Sequence, residues 1–387
     1  MDIPVFEHIS PDACTGCELC ACVCEMKAIT MVEDASGFRY PMLNAQKCVN
    51  CGVCVKRCPK LAPESLVENI ETIAGYARSE DVVQASSSGG FFGLIATALI
   101  QTNHWTIVGV EWQDEFKNVG HICVDSLENL TRIQRSKYFQ SYKKGIYRDV
   151  LKLLREGKQV LFCGCPCEVA AVKEYVPDAL REGLYTIDLI CQGPTSICTW
   201  LEYRKKVMER FHAEIVDVNM RYAIGPWIPQ YLRITFQNGR IFCKRLYSTQ
   251  LGDAIRIMQR PSCFECSFAG VHSWADLTLG DYHGANPQAS YYHESGVSIA
   301  VAHTDKGQWL LQTLRGCDVY TESADYDMLA EKNPRMIKPW LPRPGYDDFV
   351  RVMRSSGLTA ASRAAVPIKS RILRRMPVLL VRLLKRL

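Results

Sequence analysis

The sequence predicts an α/β protein in which a small α+β domain precedes a larger domain built on a mixed sheet. Two observations predict this: cysteines recur at one spacing within residues 14–58, and apolar, β-rich runs then alternate with helical patterns. Such alternation is typical of a sheet covered by helices. A final segment is set apart by its basic charge. We therefore expect domains at 1–62 and 63–344 and a tail at 345–387.

Composition and charge exclude several classes of protein. The 387 residues are 48% hydrophobic and 22% charged, as in a globular protein. Nineteen cysteines, with no apolar run before the first, predict a cytoplasmic protein whose thiols serve metal or redox chemistry. The apolar run Gly89–Ile100 is too short to cross a bilayer. The net charge is +5, but ten Lys and Arg residues and no Asp or Glu lie from Phe349 onward, so we expect no nucleic-acid binding by the acidic remainder.

Eight of the cysteines form two copies of one motif. The spacing C-x2-C-x2-C-x3-C occurs at Cys14, Cys17, Cys20 and Cys24, and again at Cys48, Cys51, Cys54 and Cys58. In such a run three thiolates hold one cubane and the fourth reaches the other cluster. We predict a two-[4Fe-4S] ferredoxin domain with crossed ligands: Cys14, Cys17, Cys20 and Cys58 for the first cluster, and Cys48, Cys51, Cys54 and Cys24 for the second. Zinc is the alternative, although its sites pair C-x2-C with a distant second pair.

The body contains four apolar runs that predict strands. They are Trp105–Trp112, Gln159–Gly164, Tyr185–Cys191 and Gly296–Thr304. Two further β-rich runs flank Asn238 and Gly239, a dipeptide that favours the positive φ of a hairpin turn. We therefore expect an antiparallel hairpin inserted at that point, and a mixed sheet.

Two loops of the body have the composition of ligand sites. Ser86–Gly90 precedes a helix-like run, and the free N–H groups of a helix N-terminus suit a phosphate. A plain capping loop is the alternative. The second loop, at Gly164, Pro166 and Cys167, follows a strand, where α/β sheets usually place their ligand.

Four cysteines of the body predict a third cluster. Cys167 and Cys191 follow two strands, and Cys263 and Cys266 form a C-x2-C pair. Strand-end cysteines would lie at one edge of the sheet, and the pair would complete four thiolates. The alternative is that these are small buried hydrophobes, which fits the C-x2-C pair poorly.

Seven motifs in the body resemble one known family. The chain is similar to the beta subunits of coenzyme F-420 hydrogenase/dehydrogenase over about residues 70–350, in the motifs SSGG (Ser87–Gly90), RSKYFQSY (Arg135–Tyr142), VLFCGCPCEVAAV (Val160–Val172), DLICQGPTS (Asp188–Ser196), RPSCFEC (Arg260–Cys266), DLTLGDYHG (Asp276–Gly284) and GVSIAVAHTDKG (Gly296–Gly307). The resemblance implies an FAD-containing, iron–sulfur oxidoreductase. Cys165 and Gln192 depart from the usual threonine and histidine of the family.

The resemblance also implies site residues. FAD would contact Ser87, Ser88, Gly89, Gly90 and Gly164, and the catalytic candidates are Lys137, Tyr138 and Asp281. Lys137 would stabilise a reduced flavin by its charge, or be a solvated lysine. Tyr138 would stack or donate a proton, or belong to the core. Asp188 and Asp281 would carry protons or cap loops.

The expected function is electron transfer between the ferredoxin-type clusters and a small-molecule substrate through FAD. A redox partner protein or other electron donor would exchange electrons with the N-terminal clusters. The alternative from another class is a non-catalytic electron-transfer subunit that serves a second enzyme. A colourless zinc- or nucleic-acid-binding module is the third interpretation.

The tail predicts peripheral contact with the inner face of a membrane. Basic residues alternate with aliphatic ones from Arg363 to Leu387, a pattern that places apolar side chains among anionic headgroups. Pro377 should interrupt the helix and weaken binding. A tail docked on the acidic body, or a disordered tail, is the alternative.

Overall fold

The computed structural model describes residues 3–62, 71–269 and 274–376. Its strands are β1 Ile29–Glu33, β2 Arg39–Leu43, β3 Glu71–Ala77, β4 Trp105–Gln113, β5 Asn118–Val124, β6 Gln159–Gly164, β7 Leu184–Leu189, β8 Ile215–Tyr222, β9 Tyr231–Phe236, β10 Ile241–Arg245, β11 Leu277–Asp281, β12 Ser298–Ala302 and β13 Val319–Ser323. Its helices are α1 Leu19–Val23, α2 Val53–Lys56, α3 Glu80–Gln84, α4 Phe91–Ile100, α5 Leu127–Ile133, α6 Ile146–Arg155, α7 Pro166–Tyr175, α8 Ile197–Phe211, α9 Gln250–Ile257, α10 Asp305–Arg315, α11 Tyr326–Lys332, α12 Tyr346–Ala365 and α13 Ile368–Arg375.

The body is organised around an eight-stranded mixed sheet. Its strand order is β13-β3-β12-β11-β7-β6-β4-β5. Strands β4, β6, β7 and β11 are parallel, and the remaining pairs are antiparallel. The mixed sheet predicted from the sequence is therefore confirmed. Because the four parallel strands share a direction, the loops after β6, β7 and β11 lie at the same edge.

Helices cover both faces of this sheet because side chains alternate along each strand. Leu161 of β6 packs with α4, α5 and α10 on one face. Its neighbours Val160 and Phe162 pack with α6 and α7 on the other face, where Leu19 of the N-terminal domain joins them. Each fully buried aliphatic side chain contributes roughly 1.5–3 kcal/mol of stability. The sheet edge that carries the loops is thus held by two packed layers.

The predicted hairpin forms in a separate, smaller sheet. Strands β9 and β10 pair antiparallel in the register expected for a turn at Asn238 and Gly239, and Gly239 has φ +77°. With β8 they form a three-stranded sheet. This sheet packs its apolar face against α8, α9 and α12. The hairpin is therefore confirmed, and it belongs to a second core beside the large sheet.

The segment predicted as a tail starts as part of this second core. Phe349, Met353 and Leu358 of α12 are buried against α8, α9 and the three-stranded sheet. Pro377 and the residues after it lie outside the described ranges. Within the ranges that the structure describes, no helix is both long and apolar enough to span a membrane.

Candidate functional site

The two cysteine motifs adopt the same backbone turn. In the first motif Gly16 and Glu18 have positive φ values of 65° and 66°, and at the matching positions of the second motif Asn50 and Gly52 have 52° and 70°. Helices α1 and α2 begin directly after these turns. Left-handed residues at alternate positions curl the chain around a centre. The sequence repeat is therefore also a structural repeat of the backbone turn.

The thiols group across the two motifs. Burial, together with the neighbouring thiols of Cys14 and Cys58, raises the pKa of Cys17 to about 12. Cys20 interacts with these three thiols and, more weakly, with Cys54. In the second group, Cys54 interacts with Cys51 and Cys24. These are the neighbours that crossed ligation requires, while the ligand sets themselves stay a prediction.

Side chains of the body hold the first cysteine group in place. The Tyr147 hydroxyl donates to the Cys17 carbonyl at 2.8 Å, and Arg260 Nε donates to the Cys14 carbonyl at 2.7 Å. Gln140 Nε2 donates to the Thr15 carbonyl at 3.2 Å. Gly16 has no space for a side chain, because a Cβ atom there would lie 2.3 Å from Gln140 Nε2. The N-terminal domain therefore docks on the body through its first cysteine group.

Five thiols of the body lie together in one cavity, next to the place where the N-terminal domain contacts the body. They line one cavity at the edge of the large sheet, together with Thr15 of the N-terminal domain: Cys165, Cys167, Cys191, Cys263 and Cys266. Cys165 and Cys167 follow β6, and Cys191 follows β7, so the parallel strands bring them to one edge, as the sequence predicts for Cys167 and Cys191. The four cysteines predicted for a third cluster are thus brought together. Their role as ligands stays a prediction.

Among the residues that the structure describes, no three His, Cys, Asp or Glu side chains are arranged to hold one metal ion. A cubane carries each thiolate on a different iron, so its ligands lie farther apart than those of one ion. The absence of a single-ion arrangement among the described residues is therefore compatible with a cubane at this cavity.

Cys165 is the fifth thiol, which the sequence analysis did not assign. Its Sγ lies 3.6 Å from Cys191 Sγ. The ligand sulfurs of a cubane bind different irons and are held well apart. Two sulfurs as close as those of Cys165 and Cys191 would therefore not both be ligands: one would bind iron and the other would be its hydrogen-bonding neighbour. The hydrogen bond with Cys165 lowers the pKa of Cys191 to about 7 although burial opposes this, and Gly193 N donates to Cys191 Sγ at 3.3 Å. Cys191 is therefore the better placed of the two as a thiolate ligand.

Buried cations surround this cavity. Arg335 Nε donates to the Cys191 carbonyl at 2.7 Å, and Arg260 also lines the cavity, with its Nη2 unpaired within the described residues. Lys143 Nζ lies 2.5 Å from Glu168 Oε1. Although burial opposes ionisation, Lys143 holds the pKa of Glu168 at about 2. A four-thiolate iron–sulfur cluster is anionic, and cations in a low-dielectric surrounding would stabilise it.

A second, larger cavity shares a wall with the thiol cavity. It has a volume of about 990 Å³, at the upper end of roughly 300–1,000 Å³ for ligand pockets. Residues common to both cavities are Gln140, Cys165, Glu168, Leu189, Ile190, Cys191 and Pro194. A ligand in the large cavity would therefore lie beside the thiol group.

The predicted serine-glycine loop lies on the wall of the large cavity. Ser87, Ser88 and Gly90 line it, as does Gly164 on the loop after β6. Gly90 has φ +92° and is the N-cap residue of α4, and as a glycine it has no side chain to cap that helix. The first N–H groups of α4 are therefore available to a phosphate.

The loop's other contacts fix its shape. Ser87 Oγ accepts from Ser136 N at 2.8 Å, and Ser88 Oγ donates to the Val297 carbonyl at 3.0 Å. Gly89 does not line the cavity; it packs against the sheet, where a Cβ atom would lie 2.5 Å from the Gly75 carbonyl oxygen. In this structure Gly89 is therefore a packing residue, and its contact with FAD stays a prediction.

The three catalytic candidates also line the large cavity. Lys137 is not a solvated lysine: its Nζ donates to the carbonyls of Arg132, Gln134 and Arg135, and burial lowers its pKa to about 7. Tyr138 packs at the edge of the second core, and burial raises its pKa. The third candidate, Asp281, ends β11.

Asp281 pairs with an arginine that the sequence analysis missed. Arg221 Nη1 lies 2.8 Å from Asp281 Oδ2, and the Arg221 side chain is only 8% exposed. Arg221 comes from β8 of the second sheet, outside every motif, so no local pattern indicated it. Asp188, by contrast, is buried beside the thiol cavity, where it accepts from Thr278 Oγ1 at 2.5 Å.

Comparison with known proteins finds a match for the N-terminal cysteine motifs and another for part of the body. Residues 157–325 match the family model for the C terminus of the coenzyme F420 hydrogenase/dehydrogenase beta subunit, and residues 13–62 match the 4Fe-4S dicluster domain. Among solved structures, a xenon derivative of the F420-reducing [NiFe] hydrogenase complex from Methanosarcina barkeri aligns with 77% of this chain and 91% of that chain, at 13% identity and a TM-score of 0.45. No curated protein matches. The family resemblance is thus confirmed over residues 157–325, and the two-cluster ferredoxin prediction over residues 13–62.

Proposed function

We propose that this chain passes electrons between its N-terminal clusters and a small-molecule substrate through FAD. Its matched regions are a 4Fe-4S dicluster domain and the beta-subunit region of an iron–sulfur oxidoreductase family. One observation supports this most directly. Three sites lie next to one another in order: the first cysteine group, the five-thiol cavity and the large cavity. Thr15 of the first cysteine motif lines the five-thiol cavity, and Cys191 lies in the wall between that cavity and the large one. This is the order an electron route requires.

The large cavity offers what FAD needs. The uncapped start of α4 would take its phosphates, and apolar residues such as Phe139 and Leu279 would face its rings. When bound, FAD would convert single electrons from the clusters into a two-electron reaction. Tyr138 and Asp281 line the same cavity, and Asp281 is held in place by its pair with Arg221.

The redox partner would dock at the second cysteine group. Cys51 is exposed, and Val49 beside it is 60% exposed, whereas the first group faces the body. Lys47 and Lys56, which are both exposed, flank this surface. An electron donor could approach the second cluster here without displacing any part of the body.

The proposal predicts the cofactor content of the purified chain. After anaerobic reconstitution the full-length protein should hold about twelve iron atoms with matching sulfide, because three cubanes hold four each, and one FAD. Iron, acid-labile sulfide and extracted flavin are quantified on the same sample. A protein with about eight iron atoms and no flavin would contradict both the third cluster and the flavin site.

Turnover separates the enzyme from the alternative of a relay subunit. An enzyme should oxidise or reduce a small molecule with an artificial electron donor or acceptor when it is purified alone. A relay subunit would only be reduced. The large cavity favours the enzyme, because a relay does not need a substrate pocket.

We further propose that this chain is cytoplasmic, since its cysteines are free thiols, and that its C-terminal segment touches an anionic membrane surface. Ile368 and Ile372 lie one helical turn apart on α13 and are 66% and 58% exposed, with Lys369 exposed between them. A short basic helix with an exposed apolar pair can bind headgroups weakly.

Replacing Ile368 and Ile372 together by Asp should reduce co-sedimentation with anionic vesicles at low salt, because it removes the apolar contact and adds negative charge. The matched control replaces Val216 and Ile241, exposed on the second sheet, by Asp. Equal pelleting of both variants and the unchanged chain would show that α13 is not an anchor.

A further inference from the structure

Two donors of the Arg221 guanidinium have no hydrogen-bond partner in the part of the chain that the structure describes. One end of its guanidinium, Nη1, is bound to Asp281 Oδ2. Its Nε and Nη2 are buried and have no hydrogen-bond partner within the residues that the structure describes. Buried donors without a partner are destabilising, so native proteins rarely keep them unless a ligand supplies the acceptor.

The unused donors belong to one edge of the guanidinium. Nε–H and the adjacent N–H of Nη2 point in parallel, and this edge matches two oxygens of a carboxylate or phosphate. Asp281 occupies the other end and fixes the plane. Arg221 also lies over the ring of Trp227, with 5.2 Å from Cζ to the ring centroid. Trp227 Nε1 donates to the Ser87 carbonyl at 3.2 Å, which ties Arg221 to the serine-glycine loop.

The charge of the large cavity points to the same kind of ligand. Besides Lys137, six Lys and Arg side chains line it, among them Arg245 and Arg256, against two carboxylates, Glu168 and Asp281. Two of the six, Arg135 and Lys332, are offset by Asp217 and Glu331. Glu168 and Asp281 are already paired, with Lys143 and Arg221 respectively. The cavity is therefore positive and would concentrate anions.

We propose that Arg221 is an oxyanion-binding residue of the large cavity, which takes a carboxylate or phosphate group through its Nε and Nη2 edge while Asp281 holds the guanidinium in place. The oxyanion belongs either to the dinucleotide cofactor or to the substrate. The inference deepens the proposed function and rests on it for the flavin, but the anion site itself is testable without flavin.

The test measures binding of inorganic phosphate to the full-length, cluster-loaded protein by calorimetry, with flavin bound and with flavin removed. Arg221→Gln should weaken phosphate binding about tenfold or more, and Arg221→Lys should recover only part of it because lysine lacks the two-donor edge. The matched control is Arg343→Gln, which removes an exposed cation at the same cavity. It should weaken binding only about twofold or less, because an exposed charge is screened.

The measurements with flavin bound and with flavin removed together identify whether the oxyanion belongs to the cofactor or to the substrate. If it is the cofactor's phosphate, phosphate binds only to the flavin-free protein and Arg221→Gln lowers the flavin content. If it is the substrate's, phosphate also binds to the flavin-loaded protein and Arg221→Gln keeps its flavin. If the wild-type protein holds no flavin at all, the proposed function fails while phosphate binding still decides the role of Arg221.

A second variant keeps the test valid if Arg221→Gln fails to fold. Because Arg221→Gln leaves the Asp281 carboxylate unpaired, Arg221→Gln combined with Asp281→Asn removes both charges and should fold more readily. Iron content and melting temperature report the fold of each variant. Unchanged phosphate affinity and unchanged flavin content in a folded variant of either kind would overturn the proposal, as would a wild-type protein that binds no phosphate in either state.

Discussion

Replacing Cys191 with Ser should remove the proposed third cluster and leave the N-terminal pair intact. Cys191 lies in the wall between the thiol cavity and the large cavity, and three other cysteines of the predicted set line the thiol cavity with it. A missing thiolate opens the cluster site. We expect iron to fall from about twelve to about eight atoms per chain, and flavin reduction through the N-terminal clusters to be lost.

Cys165→Ser is the matched control, since Cys165 Sγ is only 3.6 Å from Cys191 Sγ and lines the same two cavities. It should retain about twelve iron atoms per chain. Iron analysis and rapid-mixing reduction of the flavin measure both variants. Full iron in Cys191→Ser together with loss of iron in Cys165→Ser would reverse the assignment and make Cys165 the ligand.

Glu168→Gln should destabilise the protein severely. Glu168 is buried at the start of α7, where it accepts from Lys143 Nζ at 2.5 Å, from Ser141 Oγ at 2.8 Å and from Cys165 N at 2.8 Å. Removing one partner of a buried ion pair leaves the other charge uncompensated. The expected loss is about 3–5 kcal/mol in the free energy of unfolding. Anaerobic urea unfolding of the reconstituted protein measures it.

The control for this change removes both charges. Lys143→Met combined with Glu168→Gln leaves no unpaired ammonium and should cost clearly less than Glu168→Gln alone. If the single and double variants unfold at the same urea concentration as the unchanged protein, the Lys143–Glu168 pair does not support this edge of the sheet.

Local patterns in the sequence predicted most of the fold that carries the site. The four apolar runs became β4, β6, β7 and β12, because each is long, apolar and bounded by loops. The repeated cysteine spacing predicted a repeated motif, and the positive φ values at Gly16 and Asn50 show that its turn repeats as well. The hairpin formed as predicted, but β8, which precedes it and pairs with β9 across residues 223–230, was not predicted.

The parts of the site that could not be predicted depend on distant contacts. Arg221 meets Asp281 across 60 residues, and Arg260 meets the Cys14 carbonyl across 246. A single arginine in a strand pattern has no distinguishing periodicity. Cys165 was noticed only as a departure from the usual threonine of the family; it is two residues from Cys167 on the same strand-end loop, but its spacing matches no ligand motif.

The docking of the N-terminal domain has a consequence for the kinetics of electron delivery. Tyr147, Gln140 and Arg260 all donate to backbone carbonyls in the first cysteine motif, and Gly16 fits against them without space for a Cβ atom. This domain is therefore fastened to the body at the point of transfer and is not a swinging carrier on a tether. Internal transfer should then be insensitive to solvent viscosity, whereas the collision with an external donor at Cys51 should slow as glycerol is added.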